Sequence, residues 1–158
     1  MTSSVTDESV FAYGTLLFPE IVEALIGRVP TMKEATLSGY RRCYIDDPKR
    51  VAKGPAITPE QGSSVLGKVL VGLNARELRI LDFYESNAKG YEIAHETVTF
   101  SDGSGSASVK VYVADETLRL SLSKDGWSEA DFAAKHLNYY LSERIPKMKI
   151  DFPAVFAE

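Results

Sequence analysis

The first apolar run of the chain, Val10-Phe11-Ala12-Tyr13, stops at Gly14. A short aromatic and β-branched run ended by glycine predicts a buried strand that feeds a tight turn. Pro19 suits the first turn of a helix, Ile21, Val22, Leu25 and Ile26 follow at helical spacing, and Gly27 can end the segment. Residues 35–44 and 55–58 read as extended, separated by a polar loop over 46–54 that is punctuated by Pro48 and Gly54. Residues 64–73 form a stronger strand pattern, with Val65, Val69 and Val71 on one face and Leu66 and Leu70 on the other, as expected where both faces are covered. Gly67 and Gly72 suggest bends in it.

Asn74 followed by Glu77 is a capping-box pattern, and it predicts a helix through Leu78, Ile80 and Leu81 to about Glu85. Residues 91–100 and 109–114 then predict a hairpin around the Ser/Gly-rich loop 101–108. Ser128 with Asp131 caps a last helix carrying Phe132, Leu137, Tyr140 and Leu141, followed by a tail over 146–158 that is expected to pack on the body. Few helices among many strands predict an α+β fold, a small mixed or antiparallel β-barrel flanked by helices. At 158 residues the chain suits one domain.

With 18 basic and 22 acidic residues the net charge is −4, and no basic run carries interleaved aromatics. Nucleic acid is therefore not an expected partner. No apolar run reaches membrane-spanning length, and the polar, acidic residues 1–9, expected to be flexible, lack the basic and apolar regions of a signal peptide. Cys43 is the single cysteine, which suits a reducing compartment, and the expected location is the cytoplasm. His95 and His136 have no partner at ligand spacing, so no metal site is expected. No Gly-x-Ser-x-Gly elbow or Cys-Gly-x-Cys context supports covalent catalysis. The sequence implies no particular oligomeric state.

Two features carry candidate chemistry. Positions 78, 81 and 85 are related as i, i+3 and i+7, so Glu85 falls on the stripe that Leu78 and Leu81 bury. Desolvation and the negative end of the helix dipole would both raise its pKa and make it a useful base. Periodicity also allows a blander reading, in which Glu85 reaches past the helix end to solvent or to a basic partner. The turn Tyr13-Gly14-Thr15-Leu16 leaves a strand and precedes a helix, a place where backbone N–H groups can converge on an anion. An ordinary strand-to-helix turn would look the same. Tyr40, Arg41 and Arg42 could bind an anion or could simply be solvated.

Taken together, Val10 to Leu16, Leu37-Ser38-Gly39-Tyr40-Arg41-Arg42, Pro55-Ala56-Ile57, Val65-Leu66-Gly67-Lys68-Val69 and Leu81-Asp82-Phe83-Tyr84-Glu85 with Tyr91 resemble the gamma-glutamylcyclotransferase-like family in order and spacing. The branch known from plants as avirulence-induced proteins, with its Trp-containing C-terminal helix, is similar to Trp127 through Tyr140. The resemblance covers roughly residues 10–141. It implies a small mixed barrel and the cyclisation of a gamma-glutamyl group to 5-oxoproline with release of an amine. Tyr13, Gly14, Thr15 and Leu16 match the family's substrate-binding turn, Glu85 its proton-accepting glutamate, and Tyr91 is expected to line the same pocket. No metal or organic cofactor is implied, and the expected partner is a small gamma-glutamyl compound. Two other functions fit the same residues: a non-catalytic binding or signalling module, and cleavage of an isopeptide on crosslinked lysine.

Overall fold

The computed structural model describes residues 9–46, 54–86 and 90–158. The expectations for residues 1–8 and for most of the 46–54 loop lie outside these. Five strands, β1 (Val10–Ala12), β2 (Thr31–Tyr44), β3 (Pro55–Val71), β4 (Tyr91–Phe100) and β5 (Ser106–Ala114), close into a barrel in the order β1-β3-β2-β4-β5. Every pairing is antiparallel except β1 with β5, which is parallel through Val10 opposite Lys110. The mixed α+β barrel is the expected fold.

Alternation along β1 divides the core in two. Phe11 and Tyr13 point into the barrel with Leu37, Ile57, Val69 and Val111. Val10 and Ala12 point outward onto a second cluster built with α1 (Pro19–Ile26), α2 (Ala75–Ser86) and the C-terminal helices, including Leu25, Leu81, Tyr84 and Phe132. The helices thus cover one side of the barrel. Leu66, which the alternation of β3 was expected to bury, lies away from them and is 53% exposed.

Two expected strands, 55–58 and 64–73, are one. Residues 59–63 fall between the two expectations, but the ladder to β2 runs from Thr31 opposite Val71 to Tyr44 opposite Pro55, with a register shift between Ser38 and Tyr40. Gly39 and Gly62 both take positive φ there, so the ribbon bends without parting. Gly67 is not a bend: a Cβ at this position would lie 2.3 Å from the Ala12 carbonyl oxygen, so glycine lets β1 approach β3.

The capping box of α2 forms as expected, with the Glu77 N–H donating to Asn74 Oδ1 at 2.8 Å and the Asn74 N–H donating to Glu77 Oε1 at 3.0 Å. Gly27 closes α1 in the left-handed conformation. The predicted last helix begins at Ser128, whose hydroxyl accepts the Asp131 N–H, but it is neither continuous nor as short as expected. After α3 (Glu129–Lys135) the backbone breaks at His136, α4 (Leu137–Tyr139) leads into a π-helical turn (Tyr140–Arg144), and α5 (Ile145–Asp151) occupies the start of the expected tail. The remaining tail packs as expected: Arg76 and Arg79 of α2 donate to the carbonyls of Val155, Phe156 and Ala157. Among the described residues no helix is long and apolar enough to cross a membrane.

Candidate active site

Tyr13 follows the last residue of β1, inside the barrel, and its hydroxyl donates to the Tyr112 carbonyl. Gly14 then turns the chain into a single 3-10 turn, Thr15–Leu17, closed by the Leu17 N–H on the Gly14 carbonyl at 2.9 Å. The first amides of such a turn have no acceptor within it and are available to an anion. A Cβ at Gly14 would lie 2.1 Å from Cγ of Pro55. Pro55 in turn accepts the Tyr91 hydroxyl through its carbonyl at 2.6 Å, which puts Tyr91 beside the turn.

The turn is held from two further sides. Arg42 donates from Nη1 to the Tyr13 carbonyl at 2.7 Å while its guanidinium rests 5.4 Å from the Trp127 ring centre. Arg41 does something different, pairing with Glu60 at 2.8 Å. Arg42 is therefore not simply solvated: it supports the turn. Across the turn, the Tyr84 hydroxyl donates to Thr15 Oγ1 at 2.8 Å. Tyr84 immediately precedes Glu85, so this bond ties the end of α2 to the turn.

Glu85 is partly buried near the end of α2, on the stripe with Leu81 as expected. Desolvation pushes its carboxyl up to about 7, and the positive charge of Arg144 opposes the rise. Burial holds the Tyr13 phenol well above its ordinary value, and the nearby Tyr91 and Glu85 act in the same direction. The Tyr84 phenol is raised for the same first reason, and Tyr140 and Glu85 add to it. Tyr13 is thus within electrostatic range of Glu85, Tyr91 reaches the turn through Pro55, and the Tyr84 bond brings in Thr15. A carboxyl raised to about 7, on the residue that follows the one bonded to the turn, can accept a proton near neutral pH.

The sequence alone gives no site role to Asp82 or Arg144 and does not place Arg42. Asp82, one turn before Glu85, accepts Lys110 Nζ at 2.8 Å and also the Tyr112 hydroxyl, which pins α2 to β5. Lys110 is 6% exposed, and a lysine between Val109 and Val111 in a strand was the available signal. Arg42 was noted but not placed. Arg144 lies beyond the part of the last helix whose periodicity could be followed. Among the described residues no group of three or more His, Cys, Asp and Glu is placed to hold a metal ion.

Comparison with known proteins decides the family. The model of the family described as gamma-glutamyl cyclotransferase, AIG2-like, matches residues 10–129. The chain belongs to this family. Within the AIG2-like family it is 38% identical over 104 residues to AIG2-like protein D of Arabidopsis thaliana, covering 66% of this chain and 64% of that protein. It therefore spans a little under two thirds of that relative's length. AIG2-like protein C of Arabidopsis thaliana is 31% identical over 156 residues, 94% of this chain and 87% of the relative. The fold matches a solution structure of an Arabidopsis thaliana protein with a TM-score of 0.64 at 26% identity, covering 96% of this chain and 94% of that one. A solved gamma-glutamyl cyclotransferase matches with a TM-score of 0.58 at 15% identity over 89% of this chain and 86% of its own, a likeness of fold. The matched family segment includes the turn, Glu85 and Tyr91 and stops before Arg144.

Proposed function

We propose that the chain is a gamma-glutamylcyclotransferase with Glu85 as general base. The observation that carries this reading is a desolvated carboxyl ionising at about 7 at the end of a helix tied through Tyr84 to the Tyr13–Leu16 turn. A gamma-glutamyl compound presents an α-carboxylate, an α-ammonium group and a γ-amide carbonyl. The first amides of the turn bind the carboxylate, and Tyr13 and Tyr91 line the same space. Glu85 removes a proton from the ammonium group, whose neutral nitrogen attacks the γ-carbonyl to close a five-membered ring. The ring nitrogen then gives up a second proton as the amide C–N bond breaks, and the departing nitrogen takes up both protons, one of them from Glu85, and leaves as an ammonium ion. The products are 5-oxoproline and an amine, with no water consumed. Holding both ends of the glutamyl group makes the attack intramolecular in fact as well as in connectivity, which lowers its entropic cost. The reaction needs no group beyond these side chains and the turn.

The test is release of 5-oxoproline from a panel of gamma-glutamyl amines, amino acids and peptides, with Glu85→Gln alongside. Turnover by the wild type and loss of at least about a hundredfold in the variant are expected. Binding of panel compounds without 5-oxoproline from any of them would favour the non-catalytic module instead.

A further inference from the structure

We infer that Arg144 is a specificity residue, which binds a carboxylate on the leaving group and selects gamma-glutamyl amino acids over simple gamma-glutamyl amides. This inference rests on the proposed reaction and adds the substrate's second half.

Arg144 ends the π-helical turn Tyr140–Arg144, and such turns recur at functional positions because they re-aim side chains. Its guanidinium carbon lies 5.0 Å from the ring centre of the buried Tyr140, over the ring. Arg144 Nε is buried and has no hydrogen-bond partner. A charged N–H removed from water without an acceptor is costly, so an acceptor in the working complex is the economical explanation. The side chain also lines a cleft of about 460 Å³ together with Tyr139, Met148 and Phe152, enough room for an amino-acid residue. The other cation of the cleft, Lys147, is engaged with Asp151 at 2.8 Å. Glu143 on the same cleft is exposed to water, which weakens its field.

The same guanidinium is felt at the end of α2, by Glu85 and by the Tyr84 phenol. Arg144 thus lines the cleft and lies within electrostatic range of Glu85. In a gamma-glutamyl amino acid the leaving nitrogen, which must receive its proton near Glu85, lies two bonds from the carboxylate carbon. An arginine near that glutamate is in reach of this carboxylate and can bind it with both edges of its fork.

The experiment compares kcat/KM for gamma-glutamyl-alanine and gamma-glutamyl-ethylamide, near-isosteres that differ in the carboxylate. The wild type should prefer the dipeptide by about tenfold to a hundredfold, the scale of a charge-assisted pair. Arg144→Gln should bring the preference to within about threefold, and Arg144→Lys should keep part of it. A wild type indifferent to the carboxylate, or equal losses on both compounds in Arg144→Gln, overturns the inference; the second result would mean that Arg144 acts through the fold or through Glu85. If neither compound yields 5-oxoproline, the proposed reaction fails for them. Calorimetric Kd values for the same two compounds, on Glu85→Gln with and without Arg144→Gln, then decide alone. Tighter dipeptide binding that depends on Arg144 supports the inference, and equal or absent binding overturns it.

Discussion

At the scale of single residues, the ionisation of Glu85 links activity and stability with opposite signs. Its folded pKa of about 7 lies above the ordinary carboxylate value, so the ionised base becomes available as pH rises through about 7. The substrate amine loses its proton more readily in the same direction, so kcat/KM should climb across the neutral range. A flat profile, with chemistry shown to be rate-limiting, would remove Glu85 from the proton-transfer step. Stability should run the other way. Because the native state holds the proton more tightly than the unfolded chain, the contribution of Glu85 is fully present below its unfolded pKa and is lost as pH rises through about 7. Glu85→Gln should therefore be inactive yet more stable than the wild type at pH 8, by up to the order of 3 kcal/mol, with the advantage fading under acid. Chemical denaturation at the two pH values measures it. Gly14 shows a different constraint. A side chain at this position meets the Pro55 ring at 2.1 Å, so Gly14→Val should lower both ligand affinity and melting temperature, and undiminished affinity would argue against the turn as an anion cradle.

At the scale of elements, what could be read in advance is what local chemistry dictates. The Asn74/Glu77 box, Pro19, Gly27 and the Ser128 cap each act within a few residues, and each formed. Glu85 was visible because its position on a stripe needs only helical period. The reading went astray where one element answers to another. Residues 59–63 belong to neither expected strand, yet ladder pairing with β2 carries one strand through them. Gly67 looked like a bend and is instead the clearance for β1. Arg144 was out of reach because the break at His136 and the π-turn shift the helical phase, so period alone no longer tells which side it faces. Asp82 is the long-range case: its partners Lys110 and Tyr112 are 28 and 30 residues away. Asp82→Asn weakens the Lys110 pair and the Tyr112 bond and loosens α2 against β5, so it should cost about 1–2 kcal/mol by denaturation. It should also lower kcat through Glu85 while shifting KM little. An Asp82→Asn protein as stable as the wild type would show that α2 is held elsewhere.

At the scale of the whole molecule, the barrel supplies a rigid end on which the turn sits, and the helices on one side carry the groups that face it. α2 is the member on which the proposed site depends, and it is clamped from both sides. On its barrel side, Leu81 and Tyr84 are buried and Asp82 is bonded to β5. On its outer side the C-terminal tail lies across it: Phe83 packs against Phe152 in a tilted contact at 4.9 Å between ring centres and edge-to-face against Phe156 at 6.3 Å. Arg76 Nη2 donates to the Phe156 carbonyl at 2.9 Å, and Arg79 donates to the Ala157 carbonyl at 2.6 Å and the Val155 carbonyl at 3.1 Å. The clamp is tight on one side and largely solvent-exposed on the other, so the tail should open first, in a local fluctuation that leaves the barrel intact. Replacing both arginines, Arg76→Ala with Arg79→Ala, removes the polar half of this outer clamp and keeps the aromatic half. Exposed hydrogen bonds of this kind contribute about 0.5–1.5 kcal/mol each, so the double variant should melt several degrees lower, at about 2–4 °C per kcal/mol for a domain of this size. The more telling readout is amide exchange. Protection should fall over the tail and α5 while β1, β3 and β5 exchange as in the wild type, because those strands are held by the barrel's own core. Uniform loss of protection across barrel and tail would mean that the tail belongs to one cooperative unit with the barrel, and that α2 is not independently braced from outside.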